Sequence, residues 1–218
     1  MKRKEALIMA VSMAILAGCS RTGAEQVFAP TESSLYITSE GIVTSATVET
    51  YEKDYYSAEE LTDSVEEILA EFNGSVESAS EEGEEAKAAA SVRECTMADG
   101  VAKLLIDFRD AETYLAFMEQ YPDEESAIQL SALDVTTVSD GITKGYLVGE
   151  TFTKVAGESK TVAADEVMKR SKWYVAAVEG QSLIQTDGAI QYISEGVSVV
   201  GTNMVRTPAG QVSYVVFK

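Results

Sequence analysis

Residues 57–74 read SAEELTDSVEEILAEFNG, and the reading of this stretch decides the fold. Leu61, Val65, Ile68, Leu69 and Phe72 recur at helical spacing on one face, while acids fill the other. Ser57 and Glu60 form a capping box, in which the serine oxygen accepts from one orphan amide and the glutamate from another. Asn73-Gly74 supplies a stop signal, so the pattern predicts one amphipathic helix ending there.

Strands flank this helix. Upstream, SLYITSEGIVTSATVE (34–49) alternates as two strands about a turn at Glu40-Gly41. Downstream, SVRECTMADGVAKLLIDF (91–108) reads as a hairpin about Asp99-Gly100. A second helix follows from Asp110 to Gln120, with Tyr114, Leu115, Phe117, Met118 and Tyr121 on its inner side and Pro122 closing it. The two ββα passages share order rather than residue identity, and define no repeat. Between them, SVESASEEGEEAK (75–87) is small and acidic with little to bury, as suits a solvated loop or a frayed helical insertion.

The rest of the chain is less regular. AIQLSALDVTTV (127–138) fits a short helix or a strand, GYLVGETFTKVAG (145–157) reads as extended, and TVAADEVMKR (161–170) as a short helix capped at Thr161. From Lys172 onward short apolar runs are punctuated by Gly180, Gly188, Gly196 and Gly210. This predicts a C-terminal meander whose last strand, Val212–Phe217, lies inside the sheet. The expected fold class is α+β, a largely antiparallel sheet with two main helices and a β-rich C-terminal meander.

The N-terminus reads as an address. Lys2, Arg3 and Lys4 precede an apolar run of thirteen residues, Ala6 to Gly18, too short to span a bilayer but suited to an export signal. At its end Leu16, Ala17, Gly18 and Cys19 together resemble the lipobox of bacterial lipoproteins. The resemblance covers this signal alone. It implies that the Cys19 thiol receives a diacylglyceryl group and that cleavage before Cys19 makes it the mature N-terminus. One acyl chain holds a protein marginally, whereas two or three on one residue anchor it durably. The expected organisation is a signal peptide at 1–18, a flexible tether at 19–32 and a single α+β domain at 33–218, with 75–87 as its acidic loop or insertion.

Charge and composition narrow the function. Loss of residues 1–18 removes three basic residues and one acid, leaving 14 Lys+Arg against 35 Asp+Glu, a net charge of −21. Such a surface repels phosphate backbones, so nucleic acid is excluded as a partner, while cationic partners remain open, with a weak Ca²⁺ contact among them. With Cys19 lipidated, Cys95 has no disulfide partner and reads as a small buried hydrophobe.

The chain contains no histidine, which removes Ser-His-Asp and Cys-His nucleophile systems and the commonest zinc ligand. Ser-x-x-Lys, Gly-x-Ser-x-Gly, Gly-x-Gly-x-x-Gly and Walker patterns are also absent. No catalytic residue, metal ligand or cofactor is assigned. The richest local cluster follows the first hairpin, where Tyr51, Glu52, Asp54, Tyr55 and Tyr56 alternate rings with acids. Sugars and cations bind such surfaces, although tyrosines packed over a helix start give the same pattern. Trp173, next to Tyr174, offers a second aromatic platform, and in a strand the two point to opposite faces. Seven acid-glycine pairs, from Glu40-Gly41 to Glu195-Gly196, read mostly as turns rather than calcium loops.

The combined expectation is a lipid-anchored protein on the extracytoplasmic face of the cell membrane, a non-enzymatic binding or structural module with an envelope protein as partner. It requires an exposed apolar patch or groove. The alternatives are a carboxylate-based hydrolase of wall glycans, which requires two acids facing across a cleft, and a small-ligand receptor for a transporter or sensor.

Overall fold

The computed structural model describes residues 28–51, 57–79, 88–123, 125–157 and 159–218. Two ββα passages come first: β1 (Ser34–Ile37), β2 (Val43–Thr50) and α1 (Ala58–Ala79), then β3 (Ala90–Ala98), β4 (Val101–Phe108) and α2 (Ala111–Gln120). There follow β5 (Gln129–Thr137), α3 (Val138–Thr143), β6 (Thr151–Lys154), β7 (Lys160–Ala163) and α4 (Ala164–Met168). The chain closes with β8 (Tyr174–Thr186), β9 (Ile190–Ser194), β10 (Ser198–Gly201), β11 (Met204–Thr207) and β12 (Val212–Phe217). The fold is α+β with a mostly antiparallel sheet and a β-rich C-terminal region.

Strand β8 organises the sheet. Its first half is hydrogen-bonded between β5 and β12, and its second half between β1 and β11. The β1 pairing is parallel, and the other pairings among the described strands are antiparallel. The partners change at Gly180, which has φ +119 and lies so close to β5 that a Cβ would meet the Gln129 carbonyl oxygen. Opposite it the register of β5 shifts between Leu130 and Ala132, a bulge that bends the ladder.

The sequence had suggested a turn at Gly180 and a simple meander. Instead β8 runs straight through, and β12 inserts between β8 and β9. The expectation that Val212–Phe217 lies within the sheet holds, since β12 pairs on both sides.

Both faces of β8 are covered. Ala176 and Val178 join a core with Phe72 of α1, Tyr114 of α2 and Phe217 of β12. Val175, on the other face, packs with Val138 of α3, Val167 of α4 and Phe152. The alternation of strand side chains makes this two-sided burial possible. An aromatic knot pins α2 to α1 and the sheet, with Phe117 edge-on to Phe72 at 5.2 Å and beside Phe108 at 5.3 Å.

Four local expectations require correction. Helix α1 continues through Asn73-Gly74 to Ala79, so residues 75–79 are helical, while 80–87 lie outside the described residues. The Asn73 carboxamide donates to the Ala90 carbonyl and accepts its N–H, both at 2.8 Å, so it ties α1 to β3 rather than capping a helix end. Residues 145–149 are turns, not extended chain: Gly145, Leu147 and Gly149 all have positive φ, and this path buries Leu147 completely in the second core. Thr161 belongs to β7, and α4 begins later, with Ala163 at its N-cap and no side-chain cap bond. Lastly, Asp140-Gly141 sits within α3, where Thr137 accepts from the Asp140 N–H, so this acid-glycine pair forms no turn.

Residues 28–32, at the end of the expected tether, lie against the domain. Phe28 stacks on Tyr36 at 5.0 Å, Pro30 is buried, and Glu32 pairs with Arg206 at 3.0 Å.

Candidate functional site

Two caps set the helices that flank an apolar groove. Ser57 Oγ accepts from the Glu60 N–H at 3.4 Å, and Asp110 Oδ1 from the Thr113 N–H at 2.7 Å. Burial alone would raise the Asp110 carboxyl. The hydrogen bonds from Thr113 and the adjacent Arg109 outweigh it, leaving the pKa below the usual value. From these starts the 3.6-residue repeat turns Val65 and Ile68 of α1 toward Phe117, Met118 and Tyr121 of α2.

Between the helices lies a groove of about 170 Å³. Its floor is β2 and β4, where the pairs Ser45–Ile106 and Thr47–Leu104 put four side chains on one face. Asp123, Ser126 and Ile128 close one end. Ile68 is 38% exposed at the lip. Neither α1 nor α2 contains a lysine or arginine, whereas the two carry nine acids between them. Glu71, one turn from Ile68 on the helix surface, stands beside the lip. The groove is therefore an apolar slot, with Asp123 the one acid among its lining residues, set between two helices whose charged residues are all acidic.

A second cleft lies on the opposite face of the sheet. The register places Ala132 and Asp134 of β5, Ala177 and Glu179 of β8, and Tyr214 of β12 side by side. Tyr146 closes one wall, its ring 5.8 Å from Tyr214. Asp134 accepts from the Lys144 ammonium at 2.6 Å and the Tyr146 hydroxyl at 2.9 Å. Burial and this bond push the Tyr146 phenol up to about 12. Two carboxylates thus share a cleft with aromatic flanks, the layout a glycan hydrolase needs. One of them would have to act as an acid sheltered from water. Asp134 already receives two donors and Glu179 is exposed, so neither stands in such shelter.

The residues named from sequence fall in different places. Tyr51 is half-buried, and its N–H donates to Gly100 at the β3–β4 turn. Glu52, Asp54, Tyr55 and Tyr56 lie outside the described residues, as do Leu16, Ala17, Gly18 and Cys19. Trp173 forms no open platform, because its ring stacks on the buried Tyr192 at 6.0 Å and joins the second core. Cys95 is half-buried instead of buried, with Sγ 3.7 Å from the Ala58 carbonyl.

The groove walls had been named in the sequence as core positions. Sequence missed that they line a groove which no other described residue covers. Asp134, Tyr146 and Tyr214 were not singled out, and Glu179 was read only in the acid-glycine pair Glu179-Gly180, since the fold alone brings the four together. Among the described residues no three acids or cysteines converge as a metal site, and no helix is long and apolar enough to cross a membrane. No protein-family model, no curated protein and no solved structure matches the chain.

Proposed function

We propose that this chain is a lipid-anchored binding module on the extracytoplasmic face of a cell membrane. Its α1–α2 groove receives an apolar segment of an envelope protein. The observation that carries the reading is the groove itself, an apolar slot that no described residue covers, set between two helices that carry acids and no bases. Its occupant presents large apolar side chains to Ile68, Phe117 and Met118, with Lys or Arg alongside for the acids of the two helices. Apolar burial supplies the affinity, and the charges supply register and a fast encounter. The lipobox resemblance of Leu16–Cys19 supports the anchor.

Ile68→Asp tests the groove, because it places a charge at a partly exposed lip with little effect on the core. The wild type should retain one envelope protein through purification from mild detergent, and the variant should lose that protein while keeping its fold. Equal retention by the variant would remove the groove from the account. The anchor is tested separately, by incorporation of labelled palmitate into wild type and Cys19→Ser. Label in the variant, or none in the wild type, would overturn it.

A further inference from the structure

In a chain whose acids outnumber its bases two to one, residues 169–173 read KRSKW, three cations directly before the only tryptophan. The turn after α4 folds this segment on itself, since the Trp173 N–H donates to the Arg170 carbonyl at 2.8 Å. That closure lays the Arg170 guanidinium over the indole, with Cζ 5.2 Å from the ring centroid. A fourth cation arrives from the far end of the chain. Phe217 pairs with Tyr174, and the next residue, Lys218, sets Nζ 5.0 Å from the same ring.

Each part of this arrangement is held. The indole stacks on Tyr192, which is buried in the second core. Lys218 exchanges backbone hydrogen bonds with Ala189 in both directions. Gly188 packs against the Lys218 backbone so closely that a Cβ would collide with its carbonyl oxygen.

Among the described residues none of the four cations forms an ion pair. The four ion pairs among the described residues use Arg93, Arg109, Lys144 and Arg206. Asp165 and Glu166 lie one turn back on α4, yet neither pairs with Lys169, Arg170, Lys172 or Lys218. All four cations are exposed. Two positive groups against one ring repel each other, and the ring quadrupole offsets this only in part. An anion between them would be attracted by both, and a tetrahedral oxyanion has enough acceptor oxygens to meet the arginine fork and a lysine together.

We propose that Arg170, Trp173 and Lys218, flanked by Lys169 and Lys172, form a binding site for a phosphate group, carried by a lipid headgroup or by a soluble phosphate ester. The site depends on neither the groove nor the anchor. It lies at the Tyr174 end of β8, a strand of thirteen residues, about 40 Å from the end where β1 pairs.

Trp173 reports directly on occupancy, because no other tryptophan contributes to emission. The full chain in neutral detergent is titrated with tripolyphosphate and, after reconstitution, compared in vesicles of phosphatidylglycerol and of phosphatidylcholine. A saturable change in emission is expected with tripolyphosphate, with phosphatidylglycerol, or with both. Sodium acetate at matched ionic strength should produce none. A response confined to the vesicles assigns the lipid source, and one confined to tripolyphosphate the soluble source. Arg170→Gln and Lys218→Gln should each weaken the response about tenfold or more, while Lys103→Gln, remote from the ring, leaves it unchanged. The proposal is overturned if neither probe gives a saturable change, if acetate gives the same one, or if Arg170→Gln and Lys218→Gln bind as the wild type does.

Discussion

Asn73 and Gly180 show how much a single residue decides in this fold. The Asn73 carboxamide forms a two-way bond with Ala90, and Asn73→Ala leaves both Ala90 groups without that partner. Urea denaturation should show a loss of about 1–2 kcal/mol, while Asn73→Gln, with its longer arm, recovers little of it. At Gly180 the left-handed backbone and the contact with Gln129 act together. Gly180→Ala should cost about 3 kcal/mol or more, whereas Gly74→Ala, in open space on α1, should stabilise by about 1 kcal/mol. Neither role could be read from the residue alone. Asn before Gly is a common helix stop, and glycine after an acid is a common turn, because the signal is local while both partners here are remote in sequence.

The elements themselves were more legible, because caps and turns act over short range. Ser57 accepts from the Glu60 N–H as its spacing implies, Asp110, read from sequence as the start of the second helix, proves to be its cap, and Asp99-Gly100 makes the tight hairpin turn with φ of 53 and 76. Asp110→Ala should destabilise the protein by about 1 kcal/mol at neutral pH. The Asp110 carboxyl lies below its ordinary 3.8, so its contribution is present above that value and disappears as pH falls through the folded-state pKa. Stability curves of wild type and Asp110→Asn should therefore converge in acid. Convergence above pH 5 instead would contradict the assignment. The segment 145–149 was illegible because its left-handed residues serve the burial of Leu147, a tertiary demand that leaves no local signature.

At the scale of the molecule, charge distribution was legible and site geometry was not. Sequence showed the acidity of α1 and α2, yet only the fold shows that, among the described residues, their apolar faces line a groove between them. If this groove engages a basic partner, the association rate should fall steeply between 50 and 500 mM salt while dissociation changes little. The central claim is that the groove meets its partner on the membrane. Its most direct test is photo-crosslinking in living cells from a benzoyl-phenylalanine placed at Ile68. The account predicts one prominent adduct with an envelope protein, absent when the same group stands at Val148 on the far side and lost with Cys19→Ser. Adducts of equal strength from both positions, or none from Ile68, would contradict it.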